Sequence, residues 1–143
     1  MTVPTITHLN SFLADAALQS FGINKQFFEL EFSNLEYESI KFTIDCEFEI
    51  DDESIMEKLI FLREIDPDVY KVSYFTYLNR QRITSISLNG SLLNVLFSNE
   101  LSLIFKLDSD DDTPLAITLI KDYFEPGRLR VLFDNYGGML FKE

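Results

Sequence analysis

Residues 40–50 alternate without a break. Ile40, Phe42, Ile44, Cys46, Phe48 and Ile50 fall on one parity, and Lys41, Thr43, Asp45, Glu47 and Glu49 on the other. A pleated strand turns successive side chains to opposite faces, so this segment is satisfied only by burying one face and wetting the other. Residues 27–32 repeat the pattern, with Phe28, Leu30 and Phe32 opposed to Glu29 and Glu31. The parity then slips, since Leu35 and Tyr37 are odd-numbered while Ile40 and Phe42 are even. A turn near Ser33-Asn34 with a bulge near Glu38-Ser39 accounts for the slip.

The rest of the chain must cover those buried faces. Leu9, Phe12, Leu13, Ala16, Ala17 and Phe21 recur at helical spacing, predicting a helix over residues 7–21 with Gly22 at its C′ position. Ser54 and Glu57 fit a capping box at the start of a second helix over 54–65, which Asp66-Pro67 ends. Residues 69–78 are rich in Val, Tyr and Phe and read as a strand. Further strands are expected over 83–88, 92–97, 101–107, 115–124, 129–133 and 139–141. Asn89-Gly90 marks a type I′ hairpin turn, and Pro126-Gly127 another turn. The expectation is one α+β domain over residues 1–143 with no linker. It comprises an N-terminal helix, a β-hairpin, a short helix, and an antiparallel meander of about six strands, as a sandwich or a strongly curved sheet.

Charge is distributed unevenly over that frame. Residues 1–68 hold fifteen acids against four bases, whereas residues 69–143 hold nine against eight, so nearly all of the net charge of −12 belongs to the first half. A chain with 46% hydrophobic residues and fourteen Phe nevertheless has ample material for a core. No apolar run approaches the ~18–20 residues that span a bilayer, and no basic and apolar leader opens the chain. Cys46, the one cysteine, has no intramolecular partner. A cytoplasmic location without membrane association is therefore expected.

Residues that carry chemistry are sparse. Asp108, Asp110 and Asp112 occupy positions 1, 3 and 5 of a calcium loop, but Thr113 replaces the required Gly and Leu119 the bidentate Glu. A solvated loop is the expectation, with no metal and no cofactor. His8 lies in the first turn of a helix with nothing to orient it as a base, and Cys46 shares the apolar face of its strand. No catalytic residue is assigned, and the chain is expected not to be an enzyme. Nucleic acid is disfavoured because phosphate binding needs clustered Lys and Arg, and only Arg80/Arg82 and Arg128/Arg130 come in pairs.

The acidic alternation remains. If the strands at 27–32 and 40–50 pair, Glu29 and Glu31 share a face with Asp45, Glu47 and Glu49, relieved only by Lys41. A face of one sign speeds the encounter with an oppositely charged partner. The partner-binding residues expected are Glu29, Glu31, Tyr37, Asp45, Glu47, Glu49 and Asp51, with Tyr37 as the aromatic anchor. In size, acidity and β-rich make-up the chain resembles the small acidic immunity proteins that protect bacteria from nuclease toxins. That resemblance implies an inhibitor of a basic toxin domain; the sequence leaves the oligomeric state open, with a monomer slightly favoured. Two other readings are a secretion chaperone or assembly factor, and a carboxylate-based metal-binding domain or enzyme.

Overall fold

The alternating run at residues 40–50 keeps one parity inward throughout, yet it serves two sheets. The computed structural model describes residues 5–124 and 127–143. A helix, Ile6–Leu13 (α1), precedes the strands Ala17–Asn24 (β1), Phe27–Ser33 (β2), Ser39–Ile44 (β3) and Glu47–Ile50 (β4). Short helices follow at Glu53–Leu59 (α2), Phe61–Ile65 (α3) and Pro67–Ser73 (α4), continued by a 3-10 turn over Tyr74–Leu78. The chain then forms Ile83–Asn89 (β5), Leu92–Phe97 (β6), Ser102–Lys106 (β7), Leu115–Ile120 (β8), Leu129–Phe133 (β9) and Met139–Lys142 (β10). The expected α+β architecture with an antiparallel meander is the one observed.

Two antiparallel sheets result, one ordered β1-β2-β3-β8-β9-β10 and the other β4-β7-β6-β5. Ile40, Phe42 and Ile44 of β3 and Phe48 and Ile50 of β4 are all buried, so the chain crosses between sheets at Asp45-Cys46 without losing phase. Aromatic rings from the two inner faces meet in the middle. Phe32 on β2 stacks on Phe97 of β6 at 6.2 Å, and Phe42 on β3 lies 6.1 Å from Phe105 of β7. Burying each such ring contributes about 1.5–3 kcal/mol relative to exposure. The sheets are also stitched on the side away from the corner. Ala17 bridges Arg82, and the Leu18 N–H donates to the Gln81 carbonyl at 3.0 Å.

The α1 helix closes the free edge of β5. Asn10 Nδ2 donates to the Ile86 carbonyl and Asn10 Oδ1 accepts from the Ile86 N–H, both at 2.7 Å, so one side chain imitates a neighbouring strand.

Several elements differ from the sequence reading. The first helix stops at Leu13, and Ala17–Asn24 is a strand, with Gly22 inside it opposite Glu29 rather than at a helix end. Its spacing of Ala, Leu and Phe suits a helix, but strand pairing on both sides of Ala17 and Leu18 overrides local propensity. Residues 69–78 are helical, not extended. Asp66 caps the Asp68 N–H and Pro67 takes the first turn, so this pair opens a helix rather than only closing one. Tyr70, Tyr74, Phe75 and Leu78 are then buried at helical spacing.

The helix expected over 54–65 divides into α2 and α3, and its cap is Asp52, which accepts from the Ile55 N–H at 3.0 Å. The parity slip before β3 occurs in the loop 34–38, held by Asn34, while the bulge lies in β1 between Leu18 and Ser20. The β5–β6 turn falls one residue later than expected. Asn89 pairs with Leu92, leaving Gly90-Ser91 as the loop, and the Gly90 φ of 61° with an ordinary φ at Ser91 suits a type II′ turn. At Pro126-Gly127 the expected turn involves Pro126, which lies outside the described residues.

Candidate functional site

Each acidic row is placed by the strand that carries it. On the first sheet, β2 pairs with β3 so that Glu31 opposes Lys41 and Glu29 opposes Thr43. Lys41 Nζ lies 4.0 Å from Glu29, and Asn24 Nδ2 donates to the same carboxylate at 3.2 Å. Glu31 accepts from Ser39 Oγ at 2.8 Å and from Tyr123 Oη at 3.5 Å.

The second row belongs to the other sheet. Glu47 and Glu49 lie on β4, which pairs with β7, and Lys106 Nζ sits 3.7 Å from Glu49. Lys71 of α4 reaches Glu47 at 3.3 Å, donates to the Phe48 carbonyl at 2.6 Å, and lies over the Phe48 ring. The acids at 29 and 31 therefore do not share a face with those at 47 and 49, because the chain changes sheets between them. Asp51 is exposed just past β4, its N–H donating to the Ser102 carbonyl. Tyr37 is only 4% exposed and packs edge-on against Phe12 at 6.3 Å. Burial first, and then the Glu36 charge, pushes its phenol above the ordinary range.

Asp45 occupies the corner itself, and the fold gives it a neighbour that strand patterning does not reveal. The loop 107–114 between β7 and β8 returns to this point, and the Asp45 N–H donates to the Pro114 carbonyl at 2.8 Å. The loop is shaped by its own side chains: Asp111 N–H donates to Ser109 Oγ, and Thr113 N–H to Asp111 Oδ1 at 2.8 Å. That arrangement sets the Asp111 carboxyl where it can hydrogen-bond the carboxyl of Asp45 when one of the two is protonated. The bond, then burial, then the Asp111 charge push Asp45 up to about 6, while the same bond and the Thr113 N–H hold Asp111 below the usual carboxylate range. Among the described residues neither carboxyl has a Lys or Arg within 4.0 Å.

A recess of about 280 Å³ opens beside this pair. Phe28, Ile44 and Cys46 supply apolar wall, and Asp45, Glu47 and Ser109 supply polar groups. Burial, followed by the charges of Asp45, Glu47 and Asp108, pushes the Cys46 thiol up to about 12 against the opposing Lys71. The thiol is protonated at neutral pH and is a poor nucleophile. His8 is the third residue of α1 and forms a capping box with Thr5. Among the described residues no group of three or more His, Cys, Asp and Glu is placed to hold a metal ion, and no helix is long and apolar enough to cross a membrane.

The arrangement suits one chemical task above others. A recess lined by apolar side chains and carboxylates has the chemistry to take a Lys or Arg side chain, stem against apolar groups and cation against acids. Asp111 carries no sequence signal that would pair it with Asp45, because its neighbours read as a hydrophilic loop far along the chain. Comparison with known proteins finds no matching family model, curated protein or solved structure.

Proposed function

We propose that the protein is a non-enzymatic binding protein that neutralises a basic protein partner, in the manner of an immunity protein directed against a nuclease toxin. The reading rests chiefly on the recess lined by Asp45 and Glu47, with the Asp111 carboxyl beside Asp45 and, among the described residues, no cation within 4.0 Å of either aspartate. Two adjacent carboxyls without a cation create a local demand for positive charge, and an incoming Lys or Arg relieves it by stabilising the pair with both ionised. Glu47 at the same recess adds to the field, and the outlying acids Glu29, Glu31, Glu49 and Asp51 act through long-range attraction rather than contact. Such a patch would block the basic residues with which a nuclease holds substrate phosphates.

The test uses the immobilised protein as bait in a lysate of its source organism, with bound proteins identified by mass spectrometry. Recovery of a basic protein with nuclease activity that the bait inhibits is expected. A bait carrying Asp45→Asn, Glu47→Gln and Asp111→Asn should lose it, and capture should weaken as pH falls through about 6, where Asp45 holds its proton. Undiminished capture by the folded triple variant would overturn the reading.

A further inference from the structure

Ile60, Phe61, Ile65 and Val69 are 51%, 61%, 72% and 42% exposed, although they fall within one short helical stretch. Exposed apolar residues scattered singly are ordinary, whereas a run of them signals a contact surface. Phe61 and Ile65 are four residues apart on α3, which puts them on one helix face, and α3 packs on α4, where Val69 lies. The opposite side of these helices already serves the core, through buried Ile55 and Tyr70 and partly buried Met56, Leu59, Leu62 and Val72. The outer side is thus a surplus that the fold does not use.

Its charges are one-sided. Glu57 precedes Phe61 by one turn, Glu64 follows it by nearly one turn, and Asp68 stands beside Val69. All of these acids are exposed, and none has a basic partner within 4.0 Å among the described residues. Over residues 53–69 five acids, Glu53, Glu57, Glu64, Asp66 and Asp68, stand against two bases, Lys58 and Arg63, the latter lying over the Tyr70 ring at 5.0 Å, so the face keeps a net negative charge. A second copy docked on this face by two-fold symmetry would bring together two surfaces of the same net negative charge. An anionic membrane would be repelled likewise.

We propose that the α3–α4 face docks a basic amphipathic helix of a protein partner, with apolar side chains over Phe61 and Ile65 and Lys or Arg against Glu57, Glu64 and Asp68. This rests on the reading of the protein as a binder of a basic partner, and it assigns that partner a second contact. The α4 helix joins the two surfaces, since Lys71 on it reaches Glu47 beside the recess while Val69 lies on the α3–α4 face.

The probe is a synthetic fluorescent Leu/Lys amphipathic helix, with a Leu/Glu isomer as control, followed by anisotropy. Wild-type protein should bind the Leu/Lys peptide and not the Leu/Glu peptide. Phe61→Ser with Ile65→Ser should weaken binding by about tenfold or more, and so should Glu57→Lys with Glu64→Lys and Asp68→Lys. Melting temperatures should stay near wild type, because these side chains face outward. The corner variant Asp45→Asn with Asp111→Asn should bind the peptide as wild type does, which separates this site from the recess. Absent peptide binding, or binding indifferent to Phe61 and Ile65, overturns the inference even where the corner still captures its partner. A Phe61-dependent dimer by light scattering, or Phe61-dependent sedimentation with phosphatidylglycerol vesicles, overturns it in favour of those occupants.

Discussion

The carboxyls of Asp45 and Asp111 are placed to share a hydrogen bond, although Asp45 follows the last residue of strand β3 and Asp111 belongs to the loop after β7. The bond needs one proton, and its loss near neutral pH leaves two like charges in contact. Asp45 titrates at about 6 in the folded protein, above its ordinary 3.8, so the stability it contributes is full below that ordinary value and is lost as pH rises through 6. Asp111 is shifted downward, and its contribution is present above its ordinary value and lost as pH falls below it. Asp45→Asn keeps a donor for Asp111 and removes the repulsion. Thermal melts should show a gain of about 1 kcal/mol at pH 8, discounted because the site is partly solvated, and none at pH 5. A gain of equal size at both pH values would contradict the shared proton.

Lys71 fastens α4 to the edge of β4 by three contacts of unequal weight. The bond to the Phe48 carbonyl is short and partly buried, whereas its ionic partner Glu47 is largely exposed. Lys71→Met keeps the aliphatic stem but strands the carbonyl, and should cost about 2 kcal/mol in urea unfolding. Glu47→Gln should cost no more than about 0.5 kcal/mol. The reverse order would show that the ion pair, not the carbonyl bond, holds the helix.

Asn10 satisfies both backbone groups of Ile86 at the edge of β5. Asn10→Ala should destabilise by about 2 kcal/mol, since two partly buried groups lose their partners. It should also raise the tendency to self-associate, because an open edge invites another strand. Denaturant titration and light scattering of the same variant check the two effects.

Gly137 has a φ of 89°, and a Cβ there would collide with the carbonyl oxygen of Gly90, so the β9–β10 turn rests on the β5–β6 turn. Gly137→Ala should cost about 2 kcal/mol or more. Gly22 in β1 has ordinary backbone angles and open space where its Cβ would stand. Gly22→Ala should be neutral or stabilising by up to about 1 kcal/mol, through the unfolded chain it restricts. Calorimetry of the two variants side by side gives the comparison.

Much of the sheet was legible because alternation is local. Leu93, Val95 and Phe97 of β6, and Leu115, Ile117 and Leu119 of β8, are buried as their parity requires. The misreadings fall where two signals competed. Ala16, Ala17 and Phe21 carry helical spacing, but Ala17 and Leu18 find strand partners on both sides. Tyr70, Tyr74 and Phe75 have strand-forming composition at helical spacing, and the Asp66-Pro67 cap settled the contest. At the candidate site Asp45 was visible and Asp111 was not, since nothing near either residue specifies that they meet.

By itself the sequence determined which side chains of residues 40–50 turn inward, because the pleat of a strand assigns each residue to a face whatever its neighbours are. Only the tertiary structure decided that this run would change sheets at Asp45-Cys46. That one step separated Glu29 and Glu31 from Glu47 and Glu49 and brought Asp45 against Asp111. Parity is a property of a single strand, whereas the meeting of distant carboxyls depends on how two buried faces close on one another.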